Sequence, residues 1–239
     1  MAGKALEFVT PLDGILPLRM IALVMSTNQP PKILGTCFAL RRPTSLLTAH
    51  HVIKKHDPGT LGVFFIGTPT LRRVTAVHPH PKADVAILEA EDPADSPIEP
   101  ATQILTGIHL GETFIAIGFP SELIFGQAGG HPHRMLMGHY QRFMDYESNL
   151  HGYRYAAGEM NVPNPKGMSG APLLRPETPQ VVRGVSTVTI AGESYQSVFQ
   201  EETIERRADQ IPEKGPNQYR ATEPLRPWGD GINERIPPA

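Results

Sequence analysis

The chain has 239 residues, with 22 Lys and Arg against 24 Asp and Glu, ten histidines and one cysteine. A formal net charge of -2 offers no broad field to draw in nucleic acid or an anionic membrane, and no basic stretch interleaved with aromatics is present. The lone Cys37 cannot make an internal disulfide or a multi-cysteine zinc site, which removes the usual staple of small secreted domains. The first segment, MAGKALEFVTPLDGILPLRMIALVMS, is broken by Pro11, Asp13, Pro17 and Arg19 before any long apolar run. It reads neither as a secretory leader nor as a membrane span, so a cytoplasmic, reducing setting is expected.

Short β-branched or aliphatic runs then recur between turn signals: RMIALVM, ILGTCFAL, TSLLTA, LGVFFIG, RRVTAVH and DVAILEA. Their lengths and bounding Gly or Pro residues predict strands. The apolar neighbours of Cys37 favour a buried packing thiol over a reactive one. Residues 89–103, EAEDPADSPIEPATQ, are acidic and proline-punctuated and read as a connector between two β units. A second series follows in TFIAIGF, RMLMGHYQRFM, GYRYAAG, APLL, QVVRGVSTVTI and ESYQSVFQ, interrupted by a Gly/Pro-rich loop at 121–134. Only EETIERRADQ, 201–210, has a helical period, and beyond it the chain turns Pro-rich with little to bury. The expectation is an all-β protein in two halves, about 15–90 and 104–200, within one domain over 1–206. A short C-terminal helix and an extended tail at 207–239 complete it.

Three segments carry side chains able to do chemistry. In PKGMSGAPLL, residues 165–174, Gly167 and Gly170 predict a tight turn that lifts Ser169 clear of its neighbours. Alone this is an ordinary surface turn, because serine is a poor nucleophile without a base, a group to orient that base and donors for an oxyanion. In SLLTAHHVI a strand runs through Thr48 and Ala49 into His50 and His51 and a short helical turn. In HPKADVAILEA, Asp84 opens an aliphatic strand. A carboxylate there is costly to bury unless it accepts hydrogen bonds, and an imidazole N–H is a suitable donor. The order along the chain is His, Asp, Ser.

Those three segments resemble the trypsin-like, chymotrypsin-fold serine peptidases. TAHHV matches the family's Thr-Ala-x-His, DVAIL its Asp-aliphatic strand and GMSGAP its Gly-x-Ser-Gly-x-Pro turn. GTCFALRRPTSLLTA, FIAIGFP and VVRGVSTV resemble flanking strands, so the likeness spans about residues 15–200. It implies two six-stranded antiparallel β-barrels with the catalytic groups between them, and no cofactor or metal. It selects His51 as the base, leaving His50 a neighbour without a catalytic task. Ser169 is then the nucleophile, Asp84 orients the imidazole, and the backbone N–H groups of Gly167 and Ser169 form the oxyanion hole. The implied activity is endopeptidase cleavage of a protein or peptide through an acyl-enzyme.

Met168 stands where many secreted relatives carry an aspartate that pairs with a newly cut N-terminus, so activation by that route is excluded. With the missing disulfides, this resembles bacterial and intracellular members, some regulated by a partner or by homo-oligomerisation. Ala171 replaces a glycine common in relatives. The family's pocket floor falls near Pro163 and its cleft-lining strand on Gly184, Val185 and Ser186. No acid sits at the floor and Glu159 lies further upstream, so an apolar or small residue is expected before the scissile bond. His78, His80, His131, His133 and His139 invite a metal reading, but their spacing fixes no third ligand on a rigid element. The alternatives are a catalytically silent peptidase-fold binding module and an esterase-like acyl hydrolase.

Overall fold

The computed structural model describes residues 18–65, 70–92, 98–105, 107–120, 133–148, 152–190 and 193–197. The first half holds β1 (Ile21–Ser26), β2 (Lys32–Leu40), β3 (Arg42–Thr48), the single-turn α1 (His50–Ile53), β4 (Leu61–Phe65), β5 (Leu71–Pro79) and β6 (Ala86–Ala90). The strands close into an antiparallel barrel in the order β1-β2-β3-β6-β5-β4, with β4 returning to β1. Runs of apolar residues make them, and both faces of the wall are buried, Ile21 and Phe38 on one and Leu46, Val63, Phe65 and Leu88 on the other. Cys37 is buried on β2, and that burial pushes its thiol pKa far up, so it packs rather than reacts. β2 and β3 are joined through Arg41 alone, which takes a positive φ of 61 to turn the chain.

The second half contains β7 (Gln103–Ile104), β8 (Thr113–Gly118), β9 (Arg134–Ser148), β10 (Tyr153–Met160), β11 (Pro172–Arg175), β12 (Thr178–Ile190) and β13 (Glu193–Ser197). They form a seven-stranded sheet in the order β11-β8-β9-β10-β13-β12-β7, and β11 also pairs with β12, which curls the sheet back on itself. Among the described residues all strand pairs are antiparallel except β7 with β12, and an isolated bridge between Leu40 and Ala101 is also parallel.

The connector expected at 89–103 begins late, because Glu89 and Ala90 belong to β6. It is also no free linker. Ala101 donates to the Ala39 carbonyl and accepts from Arg41 N–H, both at the end of β2, and β7 follows directly. Ile98, Ala101 and Ile104 are buried in the same apolar core as both halves. The helix expected at 201–210, the tail at 207–239 and most of the loop at 121–134 lie outside the described residues.

Candidate active site

Ala49 leaves β3 in extended backbone and the chain turns into α1, where the buried Val52 and Ile53 anchor the turn. The His51 side chain is left 28% exposed, while that of Asp84, just before β6, is 1% exposed. Asp84 Oδ1 accepts the His51 backbone N–H at 2.8 Å, and Oδ2 accepts Nδ1–H of the same ring at 2.6 Å. Two donors from one residue thus compensate the carboxylate for its lost water. With Nδ1 donating, the imidazole lone pair lies on Nε2, the tautomer a general base needs.

The turn ahead of Asp84 is held by His80, whose Nδ1 accepts the N–H groups of Lys82 at 3.2 Å and Ala83 at 2.8 Å. His78 Nε2 lies 3.9 Å from Glu89 Oε1. Among the described residues no group of three His, Cys, Asp or Glu could hold a metal ion. His131 is outside them.

His50 has a task that the sequence did not reveal. The Tyr153 hydroxyl and His50 Nδ1 share a hydrogen bond of 2.7 Å, the two rings meet edge to face at 5.9 Å, and Lys54 Nζ lies 5.6 Å from the Tyr153 ring centroid. Next door, Arg154 N–H donates to the Lys82 carbonyl at 2.9 Å. The start of β10 therefore ties the second half to both sides of the His51–Asp84 pair. Burial lowers the His50 pKa below the ordinary imidazole value, with Asp84 opposing and Lys54 and His51 assisting. Burial, helped by Asp84, pushes Tyr153 up to about 12.

A depressed histidine pKa means the unfolded chain binds the proton that the folded one refuses. The stability His50 contributes is complete above the unfolded value, about 6.5, and is lost as pH falls through the lower folded value. A tyrosine hydroxyl that donates to Nδ1 favours neutral His50, so Tyr153→Phe is expected to cost about 1 kcal/mol at pH 8 and less at pH 5. Melting both proteins across that range checks this. Parallel pH profiles would mean that the tyrosine does not keep His50 neutral.

Ser169 sits in a turn that needs glycine at Gly167, φ 97, and Gly170, φ 89. Met168 and Ala171 are buried beneath it with Phe114, Tyr140, Met160 and Leu173. Apolar packing therefore fills the position from which the sequence excluded an ion pair. A Cβ on Gly35 would lie 2.8 Å from the Ser169 carbonyl oxygen and 2.9 Å from Val52 Cγ1. The serine turn and the helix of His51 meet across Gly35, which has no side chain to hold them apart.

The Ser169 hydroxyl donates to the Thr187 carbonyl on β12 at 2.9 Å, and among the described residues no hydrogen bond joins it to His51. Nor do the N–H groups of Gly167 and Ser169 have an acceptor among those residues. Two amides one residue apart are thus left available to an incoming oxygen.

Of the residues expected to line a substrate cleft, Pro163 is exposed beside the buried Asn164. Gly184 and Val185 pair with Leu173 and Pro172 of β11. Ser186 is buried and pairs with Gln196 of β13. The contact to Ser169 comes from Thr187, one residue beyond the expected stretch, and the Thr187 hydroxyl meets Tyr155 OH at 3.3 Å. Glu159 forms an ion pair with Arg142 across the β9–β10 ladder.

The model of the trypsin-like peptidase domain matches residues 35–182, more than half of the chain. The chain belongs to that family and is a serine-type peptidase, a hydrolase. Similar solved structures agree on the fold. The Rv3671c protease from M. tuberculosis in its active form is 18% identical, with TM-score 0.65 over 84% of this chain and 85% of that one. The MamO protease domain from Magnetospirillum magneticum is 14% identical, with TM-score 0.63 over 81% and 97%. The HtrA-type protease AlgW with a decapeptide is 17% identical, with TM-score 0.62 over 82% and 66%. No curated protein is a significant sequence match. No helix among the described residues is long and apolar enough to cross a membrane.

Proposed function

We propose that the protein is a serine endopeptidase working through Ser169, His51 and Asp84 by way of an acyl-enzyme. The observation that carries this reading is the two-point grip of Asp84 on His51, which leaves Nε2 with the lone pair that a general base requires. In the first step Ser169 Oγ attacks the scissile carbonyl and its proton passes to His51 Nε2. The resulting oxyanion binds Gly167 N–H and Ser169 N–H. His51 then returns the proton to the departing amine, leaving an ester on Ser169 that water hydrolyses with His51 again acting as base. Asp84 stabilises the imidazolium in both steps. Before attack, Ser169 Oγ must turn from the Thr187 carbonyl toward His51, a rotation about χ1 between staggered wells. The substrate is a protein or peptide, and a regulatory partner or self-association remains part of the proposal.

The hydrogen bond from Ser169 to Thr187 is also the observation that favours a second reading, a peptidase fold kept as a binding module. A fluorophosphonate probe separates the two. The wild type is expected to take the label, Ser169→Ala to take none, and His51→Ala to react about 1,000-fold or more slowly. A folded wild type that stays unlabelled would rule out catalysis by the isolated chain. Peptide and ester substrates compared side by side then show whether acyl transfer extends to amides.

A further inference from the structure

We propose that Thr36, a fully buried residue of β2 in the first barrel, is the positioning residue that sets the oxyanion hole in the second half. The inference rests on the acyl-transfer reading above and adds a residue that takes no part in it. Thr36 makes four hydrogen bonds. Its N–H donates to the Ser169 carbonyl at 2.9 Å, and its hydroxyl donates to the Gly167 carbonyl at 2.8 Å. The same hydroxyl oxygen accepts Phe119 N–H at 3.0 Å, and the Thr36 carbonyl accepts from the Thr48 hydroxyl at 2.7 Å. One side chain and its own amide therefore grip the two carbonyls on either side of Met168.

The consequence follows from peptide planarity. In the plane joining Gly167 to Met168, the carbonyl is held by Thr36 and the N–H by the Pro165 carbonyl at 3.0 Å. In the plane joining Ser169 to Gly170, the carbonyl is held by Thr36 and the N–H by the Ser186 carbonyl at 2.7 Å. In the plane between them, the Met168 carbonyl is held by Ala171 N–H at 2.9 Å, so Ser169 N–H has its direction set. Gly167 N–H precedes the first of these planes at a residue whose φ of 97 only glycine adopts easily. Fixing the Gly167 carbonyl removes the rotation that would swing this turn. The hydroxyl of Thr36 is the only side-chain atom making such a hold among these bonds, and it reaches across 131 residues of sequence.

The test measures the second-order rate of fluorophosphonate labelling against pH in the full chain, for the wild type, Thr36→Val and Thr36→Ser. Valine keeps the branched shape and the backbone N–H but loses the hydroxyl. Thr36→Val is expected to label about 10- to 100-fold more slowly, less than the full loss of an oxyanion donor, at an unchanged apparent pKa of the base. Thr36→Ser is expected to recover to within about threefold of the wild type. A folded Thr36→Val that labels at the wild-type rate overturns the proposal, as does a loss that serine does not rescue or one accompanied by a shifted pKa.

If Thr36→Val does not fold, or if the wild type takes no label, the Thr36 hydroxyl proton is measured by NMR in the wild type. A proton protected from exchange, with a nuclear Overhauser contact to Gly167, supports the clamp without reference to activity. A freely exchanging hydroxyl overturns it. An unlabelled wild type with a protected hydroxyl removes the acyl-transfer reading while the geometric role stands.

Discussion

Asp84→Asn is expected to lower kcat by about 10,000-fold while leaving a folded protein. The asparagine carbonyl oxygen can still accept the His51 backbone N–H, the bond Oδ1 now makes at 2.8 Å. Its NH2 group, however, replaces Oδ2 opposite Nδ1, where the present bond is 2.6 Å. A donor facing Nδ1 forces the imidazole into the other tautomer, with hydrogen on Nε2. The ring then cannot take the proton from Ser169, and nothing negative faces the imidazolium as it forms. KM is expected to change little, because the Asp84 side chain is only 1% exposed and offers no surface to a substrate. Steady-state kinetics on any cleaved peptide, with a melting curve alongside, checks the separation. A loss below about 100-fold would show that the carboxylate does not set the tautomer, a result at odds with the whole triad reading.

Gly170→Ala is expected to destabilise the protein by about 4 kcal/mol or more and to abolish labelling at Ser169. At φ 89 the added Cβ would stand 1.9 Å from the Thr36 carbonyl oxygen and 2.4 Å from the Thr48 hydroxyl. Neither neighbour can yield cheaply, since the first is strand backbone and the second bonds to that same carbonyl. The turn would have to lift away from β2, breaking Thr36 N–H to Ser169 O and Gly170 N–H to Ser186 O together. Gly107 is the internal control. Its φ is 81, but nothing lies within 4 Å of an added Cβ. Gly107→Ala is therefore expected to cost only the backbone term, about 1 kcal/mol. Comparable melting points for the two variants would remove crowding as the cause.

Most strands were legible because each is a short aliphatic run bounded by Gly, Pro or charge, and the termini shifted by only a few residues. β7 was not. Two residues, Gln103 and Ile104, carry no period, and they lie in a stretch whose prolines speak against a sheet. A histidine pair, Asp84 and Ser169 stood out because few residue types perform that chemistry, and only the family resemblance selected His51 over His50. Thr36 could not, because threonine in a strand is the ordinary choice and the partners of its hydroxyl lie on the other half. Tyr153 was hidden for the same reason, 103 residues from His50. Nor does the sequence state where the serine hydroxyl points, which is a rotamer choice made by the Thr187 carbonyl.

The way the first half reaches across to hold the serine turn also fixes when the molecule can act during its synthesis. His51, Asp84 and Thr36 all belong to the part of the chain made first, and the barrel around them closes among residues 21–90. Ser169 comes 85 residues after Asp84, and a bond such as that from Thr36 to Gly167, 131 residues apart, forms late in folding. In the proposed triad the base is thus made long before the nucleophile that it would activate. On that reading the site is complete only once β12, which carries Thr187, has left the ribosome.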